Sequence, residues 1–284
     1  MVWEQDVRVI VMLSAETEGG QRKSHPYWLP ETYGAMKVKT ISEKKIPLDF
    51  GSANDLVASA NFKSPLLTPQ QERATPKRQR AVTEINLSGG QEIPEEVPFV
   101  VRRIMTLSHS SYPFQPMREI TQLHYSHWPD FGAPAHATDL LALVEQTNRI
   151  VKKYNGISNT EADLPAAPEE RPLLVHCSAG CGRTGTFCTI DSVIDMLKKQ
   201  REVSMKPKRI EEGDEMDIDE ASWVRSDEND LIAKTVNDFR HQRLSMVQTL
   251  RQYVLCYETV LEWLVKEMPE KYRRETLIRR SLGP

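Results

Sequence analysis

The residues of this chain best suited to chemistry are consecutive: His176-Cys177-Ser178-Ala179-Gly180-Cys181-Gly182-Arg183-Thr184-Gly185. A short apolar run at 172–176 precedes them, and a helical pattern at 184–200 follows. A tight loop opening a helix turns successive backbone N–H groups toward one point, and the helix N-terminus adds partial positive charge. Such a nest suits a tetrahedral dianion. Gly180, Gly182 and Gly185 permit the tight turn and the close approach of an anion. In the same field a thiol loses its proton below its usual pKa of about 8.5, so Cys177 is expected to be a thiolate nucleophile. Arg183 offers a planar fork for two oxygens of the anion. The Thr184 hydroxyl is placed to hydrogen-bond the sulfur and ease its later departure.

Other readings of this string fit less well. A structural cysteine in a strand-to-helix turn does not call for the glycines and the arginine. Neither G-x-G-x-x-G nor G-x-x-x-x-G-K-[ST] is present, so a nucleotide loop is a poor match. The four cysteines, Cys177, Cys181, Cys188 and Cys256, form neither a disulfide framework nor a zinc spacing. Cys181 and Cys188 read as packing residues, with Cys181 near enough to be a redox partner. No metal or cofactor is expected, and the cysteine usage implies a reducing, cytoplasmic setting.

The pattern H-C-x-x-G-x-x-R-[ST]-G resembles the signature of the protein tyrosine phosphatases. The resemblance implies hydrolysis of protein phosphotyrosine through a phosphocysteine intermediate. Phosphate binding would fall to Ser178, Ala179, Gly180, Cys181, Gly182 and Arg183, with His176 in support. His127-Trp128-Pro129-Asp130-Phe131-Gly132 is similar to the family's mobile acid loop. A phenolate leaves poorly unless protonated, so Asp130 would give it a proton and then serve as base, with Trp128 as apolar anchor. Alone, W-P-D would read as an ordinary turn. Gln248 and Gln252, four apart at a helix start, resemble the glutamines that position the hydrolytic water. Without the family they read as solvent-facing. Glu18, after the first strand, would ion-pair Arg183, and Lys23 would meet Asp130. Without the family these charges read as a solvated loop.

Elements must hold these groups. Residues 7–13 read as a buried strand and 36–46 as a more exposed one; 99–107 and 119–125 look half-buried. Helices are expected over 139–154, 184–200, 231–243 and 249–268, the last with Leu250, Val254, Leu261, Leu264 and Val265 on one side. The intermixing implies an α/β (α+β) fold, a mixed and highly twisted sheet flanked by helices. The 284 residues are read as one catalytic domain with polar insertions at about 47–98, 156–170 and 201–230. The run Lys77-Arg78-Gln79-Arg80 reads as a solvated loop, with a nuclear address as the other reading; the acidic stretch at 211–220 also reads as solvated.

Apolar content of 39%, charged content of 27% and a net charge of -3 fit a soluble globular protein without general nucleic-acid binding. No apolar run approaches the ~20 residues of a membrane span. Phosphotyrosine proteins are the expected partners, and the chain is read as a monomer. Met1 to Gln5 resembles a segment inside the family's domain, so the chain is expected to be N-terminally incomplete. It would then lack the loop whose tyrosine stacks on the substrate ring. Two alternatives follow: a weakly active or inactive phosphotyrosine-binding pseudophosphatase, and a phosphoinositide phosphatase. Neutral Ser178, Cys181 and Gly182 argue against the second, because polyanionic headgroups favour lysines there.

Overall fold

The computed structural model describes residues 1–48, 98–129, 132–156, 171–205 and 229–267, the side chains of 203–205 excepted. Asp130, the basic run at 77–80, the acidic run at 211–220 and most of the three expected insertions lie outside the described residues.

Eight strands and four helices are described. They are β1 (Val9–Met12), β2 (Thr17–Glu18), β3 (Gln21–Arg22), β4 (Glu31–Tyr33), β5 (Met36–Pro47), β6 (Phe99–His109), β7 (Arg118–His124), α1 (Ala137–Gly156), β8 (Leu173–His176), α2 (Gly182–Met205), α3 (Leu231–Gln242) and α4 (Leu250–Glu267). The main sheet has the order β4-β5-β6-β7-β1-β8, and β2 and β3 form a separate hairpin. β1 runs parallel to β7 and β8, and the β4–β7 pairings are antiparallel. This is the mixed sheet with helices that the interleaved patterns implied.

The composition of β1 follows from its place. It lies between two strands and under helix α1, so all four of its residues are buried and apolar. Alternation sends Ile10 and Met12 to a cluster with Trp3, Val7, Trp28, Met105, Leu107 and Ile120. The α2 helix packs on α3, α4 and β8, and α1 on α4. These contacts bury Leu140, Leu143, Phe187, Ile190 and Leu255.

Four expectations need correction. The strand before the nucleophile, β8, is half-buried rather than buried, because it forms the edge of the sheet. The α2 helix runs to Met205, past the residue 201 where an insertion was expected, since Arg201 and Glu202 sustain a helix. The segment ends at Asp230, which caps α3 by accepting from the Ala233 amide. At the other insertion, Pro47 still pairs within β5 and Leu48 is buried. The largest correction concerns α4: Leu250, Val254 and Leu261 are exposed, and the buried face is Gln252, Leu255, Cys256, Thr259, Val260 and Trp263.

Candidate active site

β8 delivers Cys177 to the C-terminal edge of the parallel strands, and α2 starts five residues later. Between them Gly180 takes a φ of 68°, the left-handed turn that a side chain resists. The turn brings the Gly180 amide to 3.2 Å from Cys177 Sγ, and the Thr184 hydroxyl donates to the same sulfur at 3.2 Å. Burial pushes the Cys177 thiol pKa up. The Thr184 hydroxyl and the Thr184, Gly180 and Cys181 amides outweigh that and leave it below its ordinary value. Ser178 and Ala179 are exposed, so the loop faces solvent. Cys188, by contrast, is pushed up to about 12 by burial, Asp191 and Cys177. It has the character of a packing residue.

Arg183 is buried. Its Nη1 and Nη2 donate to Glu18 Oε1 at 2.5 Å and Oε2 at 3.0 Å, a two-pronged pair across 165 positions of sequence. Glu18 Oε1 also accepts from the Ala15 amide. Nη1 of Arg183 donates further to the Trp128 carbonyl at 2.9 Å. Trp128 is fully buried and its indole N–H donates to the Gly132 carbonyl. Lys23 follows β3 with its amide bonded to the Glu16 carbonyl. Its expected partner, Asp130, lies outside the described residues.

The two glutamines meet the loop from the other side. Gln248 is exposed and sits two residues before α4 rather than on its face. Gln252 is buried, and its Oε1 accepts from the Gln248 and Thr249 amides at 3.0 and 3.4 Å. It therefore caps the helix start and holds Gln248 in place. A Cβ on Gly182 would lie 2.8 Å from Gln248 Oε1 and 2.9 Å from Gln252 Oε1; one on Gly185 would lie 2.6 Å from the Val247 amide nitrogen. The glycines thus let the glutamine segment close on the nucleophile loop.

Arg243 is a further contact of the loop. Its Nη2 donates to the Ala179 carbonyl at 2.9 Å and its Nε to Cys181 Sγ at 3.5 Å, so it braces the exposed arm of the loop. In sequence it is one more cation at a helix end. Tyr27, His176, Gln122 and Arg103 form a polar chain behind the nucleophile, and no local pattern marks Gln122 or Arg103.

The sequence matches the model of the protein-tyrosine phosphatase family over residues 1–73, 63–210 and 221–262. The chain belongs to that family. Human tyrosine-protein phosphatase non-receptor type 9 is 27% identical over 94% of this chain and 32% of its own length. Tyrosine-protein phosphatase 69D of Drosophila melanogaster is 28% identical over 92% and 12%. Tyrosine phosphatase H3 of Microplitis demolitor bracovirus is 32% identical over 64% and 45%. This phosphatase-family chain therefore spans less than half of each of these relatives. Among solved structures, the catalytic domain of human protein tyrosine phosphatase non-receptor type 18 superposes with a TM-score of 0.53 at 25% identity, covering 92% of this chain and 62% of that one. A further structure of that human enzyme is a complex with HER2 phosphopeptides.

Proposed function

We propose that this chain hydrolyses phosphotyrosine in proteins through a phosphocysteine intermediate. One observation carries the reading: Cys177 Sγ receives two hydrogen bonds at 3.2 Å in a loop whose arginine is clamped by Glu18. In the first step the thiolate attacks phosphorus and the bond to the tyrosine oxygen breaks. Asp130 gives its proton to the leaving phenol. The amides of Ser178 through Gly182, with Arg183, hold the equatorial oxygens. In the second step Gln248, steadied by Gln252, orients a water. Asp130 takes its proton as the oxygen attacks phosphorus, and the Thr184 hydroxyl stabilises the departing thiolate. Lys23 would steady Asp130. The loop amides and Arg183 offset the phosphate charge, so the scheme calls for no metal.

The relatives are all called tyrosine phosphatases, which does not favour the phosphoinositide or pseudophosphatase reading. The phosphopeptide complex of the type 18 enzyme supports a phosphotyrosine peptide as substrate here. Signalling by dephosphorylation in a reducing cytoplasm, as a monomer, completes the reading. No described helix is long and apolar enough to cross a membrane.

The test is hydrolysis of p-nitrophenyl phosphate and of a phosphotyrosine peptide beside two variants. Cys177→Ser is expected to abolish both activities; turnover that survives it sinks the mechanism. Asp130→Ala should lower kcat about 100-fold or more while peptide binding stays nearly intact. Lost binding would remove Asp130 from the role of acid.

A further inference from the structure

Behind the nucleophile lies a chain of polar side chains whose proton positions are determined by one residue. Arg103, on β6, is buried. Its Nε donates to Glu43 at 2.6 Å. Its Nη1 reaches Gln122 Oε1 at 3.1 Å and His124 Nδ1 at 3.1 Å. A guanidinium has five donors and no acceptor, so both of those partners must accept. That settles the Gln122 amide. Its oxygen faces Arg103, so its NH2 faces the Tyr27 hydroxyl, 2.7 Å away, and Met12 Sδ, 3.8 Å away. The reversed amide would set N–H against N–H.

The consequence passes along the chain. The Tyr27 oxygen accepts from Gln122, and its remaining neighbour among the described residues is His176 Nε2 at 2.7 Å. Burial strongly disfavours the Tyr27 phenolate, so the hydroxyl keeps its proton and needs an acceptor for it. The acceptor is His176 Nε2, which is therefore unprotonated. The ring proton sits on Nδ1, which faces the Cys177 carbonyl at 3.3 Å. Burial, against the Cys177 carbonyl bond, holds the His176 pKa below its ordinary value and favours the neutral ring. The groups around it are the Tyr27 hydroxyl, the Cys177 carbonyl and, beyond them, His124 and Arg103.

We propose that Arg103 and Gln122, acting through Tyr27, are positioning residues that hold His176 as its neutral Nδ1–H tautomer and thereby orient the Cys177 peptide. In a planar trans peptide the C=O and the next N–H point opposite ways. Holding the Cys177 oxygen on His176 therefore fixes the direction of the Ser178 N–H, the first amide of the phosphate loop. The inference rests on the phosphatase reading only for its effect on rate; the tautomer itself does not.

The experiment is 15N NMR of the imidazole nitrogens in histidine-labelled protein, with a parallel assay on p-nitrophenyl phosphate. In the unaltered chain His176 should show a protonated Nδ1 and a bare Nε2 between pH 6 and 8. In Gln122→Glu the carboxylate has no proton to give. Tyr27 then donates to it and turns a lone pair toward His176, whose Nε2 must become protonated. kcat/KM should fall roughly tenfold, as when supporting partners of other active-site ligands are lost. Arg103→Lys, which keeps a donor against Gln122, should retain the Nδ1–H signature; Arg103→Met should lose it. A bare Nδ1 in the unaltered chain, or an unchanged tautomer in Gln122→Glu, overturns the proposal. The signature without any hydrolysis by the unaltered chain would overturn the phosphatase reading alone.

Discussion

At the scale of single residues, the site depends on which charges are paired. Arg183 is buried, and Glu18 neutralises it through two short hydrogen bonds. Removing one partner of a buried pair leaves an uncompensated charge and costs about 3–5 kcal/mol. Glu18→Gln retains the shape and one acceptor, so a cost of about 3 kcal/mol is expected, at the lower end of that range. Urea titration should show it. The Ki of inorganic phosphate should rise in the same variant, because Arg183 is then free to turn away from the loop. An unchanged midpoint and Ki would remove Glu18 from its supporting role. Cys177, Arg183 and Thr184 are legible in sequence because they occupy one loop, where spacing alone fixes their geometry. Glu18 is legible only through the family resemblance, since nothing local tells a carboxylate 165 positions away from any other surface charge. Arg243 and Arg103 carry no local mark at all.

Among the elements, α4 shows where periodicity misleads. Its leucines and valines at 250, 254, 261 and 265 fall at helical spacing, yet 250, 254 and 261 are exposed. The helix turns its other side to α1 and α2, and that side is made of smaller and mixed residues: Cys256, Thr259, Val260 and Trp263, with Gln252 at its start. In this orientation Gln252 lies against Gly182. Val260→Ala is therefore expected to cost about 1.5–3 kcal/mol, whereas Leu261→Ala should stay within about 0.5 kcal/mol. Thermal or urea unfolding of the two neighbours reads this directly, and equal effects would mean that α4 is rotated from this orientation. Helix existence was legible from pattern, because apolar residues spaced three and four apart point to a helix whichever face they cover. Which face was buried was not, because that depends on the helices against which α4 packs.

For the whole molecule, the sheet buries a titrating histidine behind the site. His124, at the end of β7, accepts from Arg103 and donates to the Ser14 carbonyl at 2.8 Å. Burial foremost, with the Arg103 charge, lowers its pKa to about 4 against the opposing pull of the Ser14 carbonyl and the Glu43 carboxylate. The unfolded chain, with a pKa near 6.5, binds that proton more readily. His124 thus contributes stability that is full above about pH 6.5 and lost as the pH falls toward 4, roughly 3 kcal/mol at most. Denaturant midpoints measured from pH 7.5 down to pH 4 should fall accordingly. His124→Gln, which can still accept and donate, should flatten the curve; an unaltered slope would place the titration elsewhere.

By itself, the sequence of this chain determined the nucleophile loop, the mixed fold and the family, because each rests on short-range spacing that survives without coordinates. Apart from what the family resemblance implies, only the tertiary structure decided which residues surround that loop. Glu18, Trp128, Gln248, Gln252 and Arg243 reach it from four other segments, and Arg103 reaches it through three intermediaries. Hydrogen-bond direction is a property of atoms brought within about 3 Å. Residues a hundred positions apart acquire it only when the sheet has put their strands side by side.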